Sequence, residues 1–313
     1  MKLILGLVVV LNLAATVKPS PQTRFFCIHS SDTIYKETTT SDMSKNLDFK
    51  LDFAFLVHGW GSLFNVSDEG GTPYKIGLAW VKEKKTNFCG IDWRELASDD
   101  YINAALKHVQ TVGKQFAAFM LSLLKKSGKT ADSISIAGHS LGAHVSGLAG
   151  QTIYESTKTK ISTIYGLDAA APTFYFKIPL IAKSNFSLST DNANFVQVLH
   201  TTSALGTSKN IGHADFIANG GNVQGACLDE VLKAEDLLIK CSHSFAKDIF
   251  LASFTHWCTG YIENKNGTIY SWFLEFFSNS KSSESDVYGI HSKKKFGIFE
   301  LETSNSEPYC EEK

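Results

Sequence analysis

An α/β fold is what this sequence predicts: a mostly parallel central sheet with helices on both faces, in a single domain. Three observations carry the prediction. Short β-branched or apolar runs alternate with longer helix-like ones along the chain, which is the pattern of a parallel sheet with helical crossovers. No internal repeat or low-complexity linker interrupts that alternation. Between residues 133 and 150 a β-branched run leads through Gly138-His139-Ser140-Leu141-Gly142 into a small, apolar stretch. That is strand, sharp turn and helix in succession.

In chain order, residues 51–57 read as a strand, 76–84 as a helix and 88–93 as a strand. Residues 103–126 read as one long helix, because Ala104, Leu106, Val109, Val112, Phe116, Phe119, Met120 and Leu123 recur close to a 3.6-residue period. Residues 133–137 then read as a strand, 141–153 as a helix, and 161–167 and 195–200 as strands. In open sheets of this kind a site lies beyond the carboxyl ends of the strands.

Met1-Lys2 and the nearly unbroken apolar run over residues 3–15 read as an export signal, assigned to residues 1–20 with cleavage between 15 and 20. The run is shorter than the roughly 20 residues a membrane span needs. No later run is long enough, so no transmembrane anchor is expected and residues 21–313 form the domain. A secreted, monomeric protein is the expectation. The remaining length, about 295 residues, is enough to bury a large core. Thirty basic against thirty-one acidic residues, with no basic stripe, argue against nucleic acid. Six cysteines in an exported chain suggest three disulfides, for which spacing alone allows fifteen pairings. None sits in a C-x-x-C pair, which argues against zinc. Sequons at Asn65, Asn185 and Asn266 fit glycosylation in transit.

The chemistry starts at Ser140. A serine hydroxyl is a poor nucleophile until a base takes its proton. The G-x-S-x-G elbow lifts that hydroxyl onto a strand-to-helix turn above a helix N-terminus. An acid and a histidine must follow. The strand over 161–167 runs into Asp168, at the expected edge of the sheet, although a carboxylate capping the turn before Pro172 reads similarly. Its task would be to fix an imidazole tautomer and stabilise the imidazolium. The histidine is not singled out by the residues alone: His200, His213, His243, His256 and His291 all lie downstream. His200 and His213 read more simply as buried, hydrogen-bonded groups. His243 follows Cys241, whose disulfide would anchor a loop presenting it. Upstream, Phe55 to Gly61 is a strand entering a glycine turn at His58-Gly59-Trp60. Its Trp60 amide, with the Leu141 amide, would make an oxyanion hole, and each donor is worth about 3 kcal/mol.

Taken together, His58-Gly59-Trp60, Gly138-His139-Ser140-Leu141-Gly142-Ala143-His144, Gly166-Leu167-Asp168 with Pro172, and Cys241-Ser242-His243 resemble the animal lipases related to pancreatic lipase. The resemblance runs over nearly the whole mature chain. It implies an α/β-hydrolase fold with Ser140 as nucleophile, Asp168 as acid, His243 as base and the Trp60 and Leu141 amides as oxyanion hole. The run from Phe195 to Thr207 and the ending Glu307-Pro308-Tyr309-Cys310 look like the phospholipase A1 branch of insect and wasp-venom type. That likeness implies no C-terminal β-sandwich domain. The family's habits imply disulfides Cys27–Cys89, Cys227–Cys241 (closing the lid) and Cys258–Cys310.

The implied lid holds only thirteen residues, 228–240, with Leu228, Val231, Leu232, Leu238 and Ile239 at roughly helical spacing. The loop between His200 and Gly212 is also short. Triglyceride lipases of the family have longer versions of both. The comparison favours phospholipids, met at membrane, micelle or lipoprotein surfaces. Where the family places an arginine and two aspartates around a structural calcium, this chain has Ser187, Ser189 and Asn192. Uncharged residues are poor ligands for a hard dication, so neither a metal nor another cofactor is expected. The family's proline after the acid is Ala169 here, and its Gln-Pro-Gly-Cys is Gln224-Gly225-Ala226-Cys227. The competing readings are a neutral triacylglycerol lipase or galactolipase, and a non-catalytic lipid-binding protein like insect yolk proteins. The last usually loses the serine that this chain keeps.

Overall fold

The computed structural model describes residues 23–29, 32, 34–176, 179, 181–230, 234–262 and 284–312. The export signal over 1–20, the Asn266 sequon, and Val231 and Leu232 of the lid lie outside the described residues.

The chain opens on β1 (Arg24–Ile28) and β2 (Lys36–Glu37), then the short α1 (Met43–Asn46), β3 (Phe53–Val57), α2 (Thr72–Lys84) and β4 (Asn87–Asp92). Two brief helices follow, α3 (Arg94–Ala97) and α4 (Tyr101–Asn103). A π-helical segment, Ala104–His108, carries the chain from α4 into α5 (Val109–Ser127). Next come β5 (Ile134–His139), α6 (Leu141–Thr157), β6 (Thr163–Leu167), β7 (Phe195–His200) and β8 (Ala214–Ala218). After α7 (Glu235–Ala252) the chain ends in β9 (His256–Ile262), β10 (Ser285–Tyr288), β11 (Gly297–Leu301) and β12 (Glu311–Glu312).

The described strands join in one sheet, ordered β10-β9-β11-β8-β7-β6-β5-β3-β4-β1-β2, with β12 beside β9. From β4 to β11 every neighbouring pair is parallel. Antiparallel strands close both ends. Alternate residues of β3 face opposite ways. Phe53, Phe55 and Val57 join the core under α5 and α6, whereas Ala54 and Leu56 join the one under α2 and α7. With both faces covered, each strand is apolar at successive positions, as parallel strands are. Helix ends are marked by local chemistry. Pro73 sits at the start of α2, where a missing N–H costs nothing. Gly128 closes α5 in the left-handed region at φ 73°, donating to Leu124 O.

Register places the site. Val57 lies opposite Gly138, and Gly138 opposite Gly166, so β3, β5 and β6 end level with one another. Residues 58–60, 140 and 168 therefore leave the sheet side by side.

Three sequence expectations need correction. The helix over 103–126 is continuous but not uniform: α4 passes through a π-helical stretch, Ala104–His108, into α5, and the extra residue in that turn leaves the apolar spacing nearly intact. The lid residues do not share one helix: Leu228 falls in a 3-10 stretch, Gly225–Glu230, while Leu238 and Ile239 belong to α7. The chain is extended between them at Ala234, with φ −177° and ψ 149°. His243 is not on a loop at all; it sits within α7. The disulfides join Cys27 to Cys89, Cys227 to Cys241 and Cys258 to Cys310. Asn65 and Asn185 are both exposed. No helix of the described residues is long and apolar enough to cross a membrane.

Candidate active site

Ser140 occupies the one-residue turn between β5 and α6, with φ 56° and ψ −123°. A non-glycine residue there is strained, and strain of this kind costs on the order of 1–3 kcal/mol. Its neighbours hold it in place. The Ser140 N–H donates to Leu167 O at 3.0 Å, and Ala170 N–H donates to Ser140 O at 3.3 Å. Both motif glycines are required by close approach: a Cβ on Gly142 would collide with Val57 O, and one on Gly138 with Gly142 O. Leu141 opens α6, so its N–H has no acceptor within the helix.

Asp168 leaves β6 in the left-handed region at φ 47° and is fully buried. Its Oδ1 accepts from the Thr201 and Thr202 amides at 2.8 and 3.2 Å. Its Oδ2 accepts from His243 Nδ1–H at 2.6 Å. An ionised carboxylate only accepts, so the His243 proton sits on Nδ1 and Nε2 is left as an acceptor. A side chain on Gly206 would fall onto the Asp168 carboxylate, which explains the glycine.

His139 was not singled out from the sequence, although it is the variable residue inside the elbow motif. Its Nε2–H donates to the His243 backbone carbonyl at 2.9 Å, and the two rings lie 4.7 Å apart. Burial, seconded by the neighbouring His243 and Lys247, pushes the His139 pKa well below the usual imidazole value. A neutral His139 therefore ties the elbow to α7. His144 makes a second tie, accepting from Leu188 N–H at 3.1 Å and donating to Ala170 O at 2.8 Å. Burial lowers its pKa to about 4.

The turn after β3 completes the group. His58 donates from Nδ1 to Gly59 O at 2.9 Å and accepts at Nε2 from Trp93 N–H at 3.0 Å. The Trp93 indole N–H returns to His58 O at 2.8 Å. The turn is thus braced against the end of β4. A Cβ on Gly59 would lie 2.7 Å from Ser140 Cβ, so only glycine lets the Trp60 amide come this near the serine. The Trp60 ring is half exposed and donates to Asp99 O at 2.7 Å.

Ser140 and His243 open into one cleft of about 630 Å³, lined also by Trp60, Tyr101, Pro172, Leu205 and Lys247. No hydrogen bond joins Ser140 Oγ to the His243 ring among the described residues; in ligand-free enzymes this contact is commonly long and tightens with substrate. The arrangement can do nucleophilic acyl transfer: a strained serine, a buried carboxylate holding a histidine tautomer, and two backbone donors beside them. Ser187, Ser189 and Asn192, at the positions where the resemblance places a structural calcium, are uncharged and poor ligands for it. Asn192 Oδ1 accepts from Ser189 N–H at 2.8 Å, and the Ser189 side chain caps the same turn. No cluster of metal-ligating side chains occurs among the described residues.

A family model described as Lipase matches residues 11–268. The chain belongs to the lipase family. This lipase is 34% identical over 214 residues to lipoprotein lipase of Gallus gallus, a match covering 63% of this chain and 41% of the relative. It is 31% identical over 259 residues to hepatic triacylglycerol lipase of Homo sapiens, covering 78% and 50%. It is 28% identical over 313 residues to a phospholipase A1 of Vespa tropica, covering 91% and 97%. The lipase thus spans half or less of its vertebrate relatives and nearly the whole of the wasp one.

Proposed function

We propose that this lipase is a secreted phospholipase A1, releasing the sn-1 fatty acid of phospholipids through an acyl-enzyme. The observation that carries catalysis is the Asp168–His243 hydrogen bond of 2.6 Å in the cleft that holds Ser140. Ser140 Oγ attacks the ester carbonyl carbon while His243 Nε2 takes its proton. The oxyanion gathers charge facing the Trp60 and Leu141 amides. The imidazolium then protonates the leaving lysophospholipid oxygen, and water repeats the sequence on the acyl-enzyme with His243 again as base. Asp168 stays ionised and holds the ring. No step requires a metal, because backbone donors take the developing charge.

The phospholipid preference is supported by the near end-to-end match to the wasp phospholipase and by the short segment between Cys227 and Cys241. Export is supported by the leader over residues 1–20 and the three disulfides. The test is hydrolysis of phosphatidylcholine labelled separately at each acyl position, beside trioctanoin, in excess chelator. Release from sn-1, undiminished by chelation and faster than trioctanoin cleavage, is the expected result. Release mainly from sn-2, or faster cleavage of trioctanoin, would defeat the assignment.

A further inference from the structure

The cleft beside Ser140 has two chemically different sides. One is a connected apolar wall. The Trp60 ring meets Tyr101 edge-on at 5.5 Å, the Tyr101 hydroxyl donates to Pro172 O at 3.0 Å, and Ala171 N–H donates to Leu205 O at 2.9 Å. The other side is a stripe of α7: Lys240, His243, Ser244 and Lys247. Their spacing of three, four and seven residues puts them on one helix face. No acidic side chain lines the cleft among the described residues.

Lys247 is the informative member. Burial lowers its pKa, and the neighbouring Asp248 offsets this only in part. The Asp248 carboxylate is engaged elsewhere, accepting from Thr72 Oγ1 of α2 at 2.7 Å. Lys36 and Lys129 have carboxylate partners; among the described residues Lys240 and Lys247 have none. Lys240 is exposed, but the Lys247 ammonium is held largely away from water, which is unfavourable without a carboxylate unless an anion completes it. The two ammonium groups hang from positions about 10 Å apart along the helix axis, with the base between them.

We propose that Lys240 and Lys247 form a phosphate subsite that holds the phosphodiester of a phospholipid headgroup, while the acyl chain lies along Trp60, Tyr101, Pro172 and Leu205. The assignment rests on the phospholipase reading and sharpens it. Two cations repel the ammonium of choline, so anionic headgroups such as phosphatidylglycerol are preferred to phosphatidylcholine.

The test uses the full chain. Turnover of phosphatidylglycerol in mixed detergent micelles is compared with turnover of p-nitrophenyl butyrate, an ester without phosphate. For Lys240→Gln and Lys247→Gln the phospholipid-to-butyrate ratio falls about tenfold each, and Lys247→Arg restores most of the loss. An unchanged ratio overturns the subsite. If thermal melting shows Lys247→Gln to be misfolded, Lys247→Met, which keeps the side-chain volume, takes its place. A second arm needs no phospholipid turnover: dodecyl phosphate competes with p-nitrophenyl butyrate, and its inhibition constant rises about tenfold in Lys247→Gln. Dodecanol is the uncharged control. Equal inhibition of wild type and variant by dodecyl phosphate overturns the subsite. Lysine-dependent inhibition by inorganic phosphate at the same concentration would assign the lysines to free phosphate and overturn the headgroup role. A wild type that leaves phospholipids intact defeats the phospholipase reading alone, since the dodecyl phosphate arm still decides the subsite.

Discussion

At the scale of single residues, the centre depends on how closely backbone segments approach Ser140. Replacing Ser140 with alanine removes the proposed nucleophile, and turnover of any ester substrate should fall on the order of a millionfold while the protein stays folded. A variant that kept a tenth of the activity would mean another nucleophile. Gly59→Ala is the subtler case. Its methyl would stand 2.7 Å from Ser140 Cβ, so the turn carrying the Trp60 amide must shift. A displacement of about 1 Å costs on the order of a hundredfold in rate, to be read as kcat on p-nitrophenyl butyrate. Retention of full kcat would show that this turn does not set the geometry. Ser140 and Asp168 were legible as candidates because each follows a strand at the catalytic edge. His139 was not, since a motif written G-x-S-x-G says nothing of its variable residue. Nor were Lys240 and Lys247, which lie on a helix face that no short pattern announces.

At the scale of elements, the sheet is tied beyond its own ladder. His200 of β7 donates from Nε2 to Asp215 Oδ1 of β8 at 2.8 Å, and the Ile211 and Gly212 amides donate to the same carboxylate. Burial works to lower the His200 pKa, but the hydrogen bond and charge of Asp215 outweigh it and raise the value. A raised histidine pKa adds stability in full below the unfolded value near 6.5, and that stability is lost as pH rises through the folded value. Asp215→Asn should therefore cost more unfolding free energy at pH 5 than at pH 8.5, measured by urea denaturation. An equal cost at both would show that the pair does not titrate in this way. Elements were legible where burial writes a pattern. β3, β5, β6 and β7 are apolar on both faces and lie within two residues of their expected bounds. β1 and β8 escaped notice: the former follows closely on the residues read as an export signal, outside the strand–helix alternation, and Asp215 interrupts the latter. In α7 the Cys241-Ser242-His243 triplet suggested a loop, although Leu238, Cys241, Phe245 and Ile249 keep a helical spacing.

At the scale of the whole molecule, covalent closure and core packing divide the labour. Cys27–Cys89 fastens β1, second from its end of the sheet, to β4, Cys258–Cys310 fastens β9 to the C-terminal segment, and β3, β5, β6, β7 and β8 carry no cystine. Each of these two cystines closes a loop of more than fifty residues, worth about 4 kcal/mol in a chain-entropy account. Reduction with dithiothreitol should thus release the amides of β1, β2 and β9 to hydrogen exchange well before those of β3, β5 and β6. Simultaneous release would mean that the sheet opens as one unit. The overall architecture was legible because the alternation of strand and helix runs through most of the chain. The order of the last strands was not, since β11 pairs parallel to β8 across the intervening α7, β9 and β10. That late insertion has a bearing on synthesis. α7 rests on an apolar layer whose last members, Phe299 and Leu301, are translated more than fifty residues after His243. A chain still emerging from the ribosome holds the serine and the carboxylate before the helix bearing the histidine has its floor. The proposed centre therefore gains its full support only after residues 299–301 have been made.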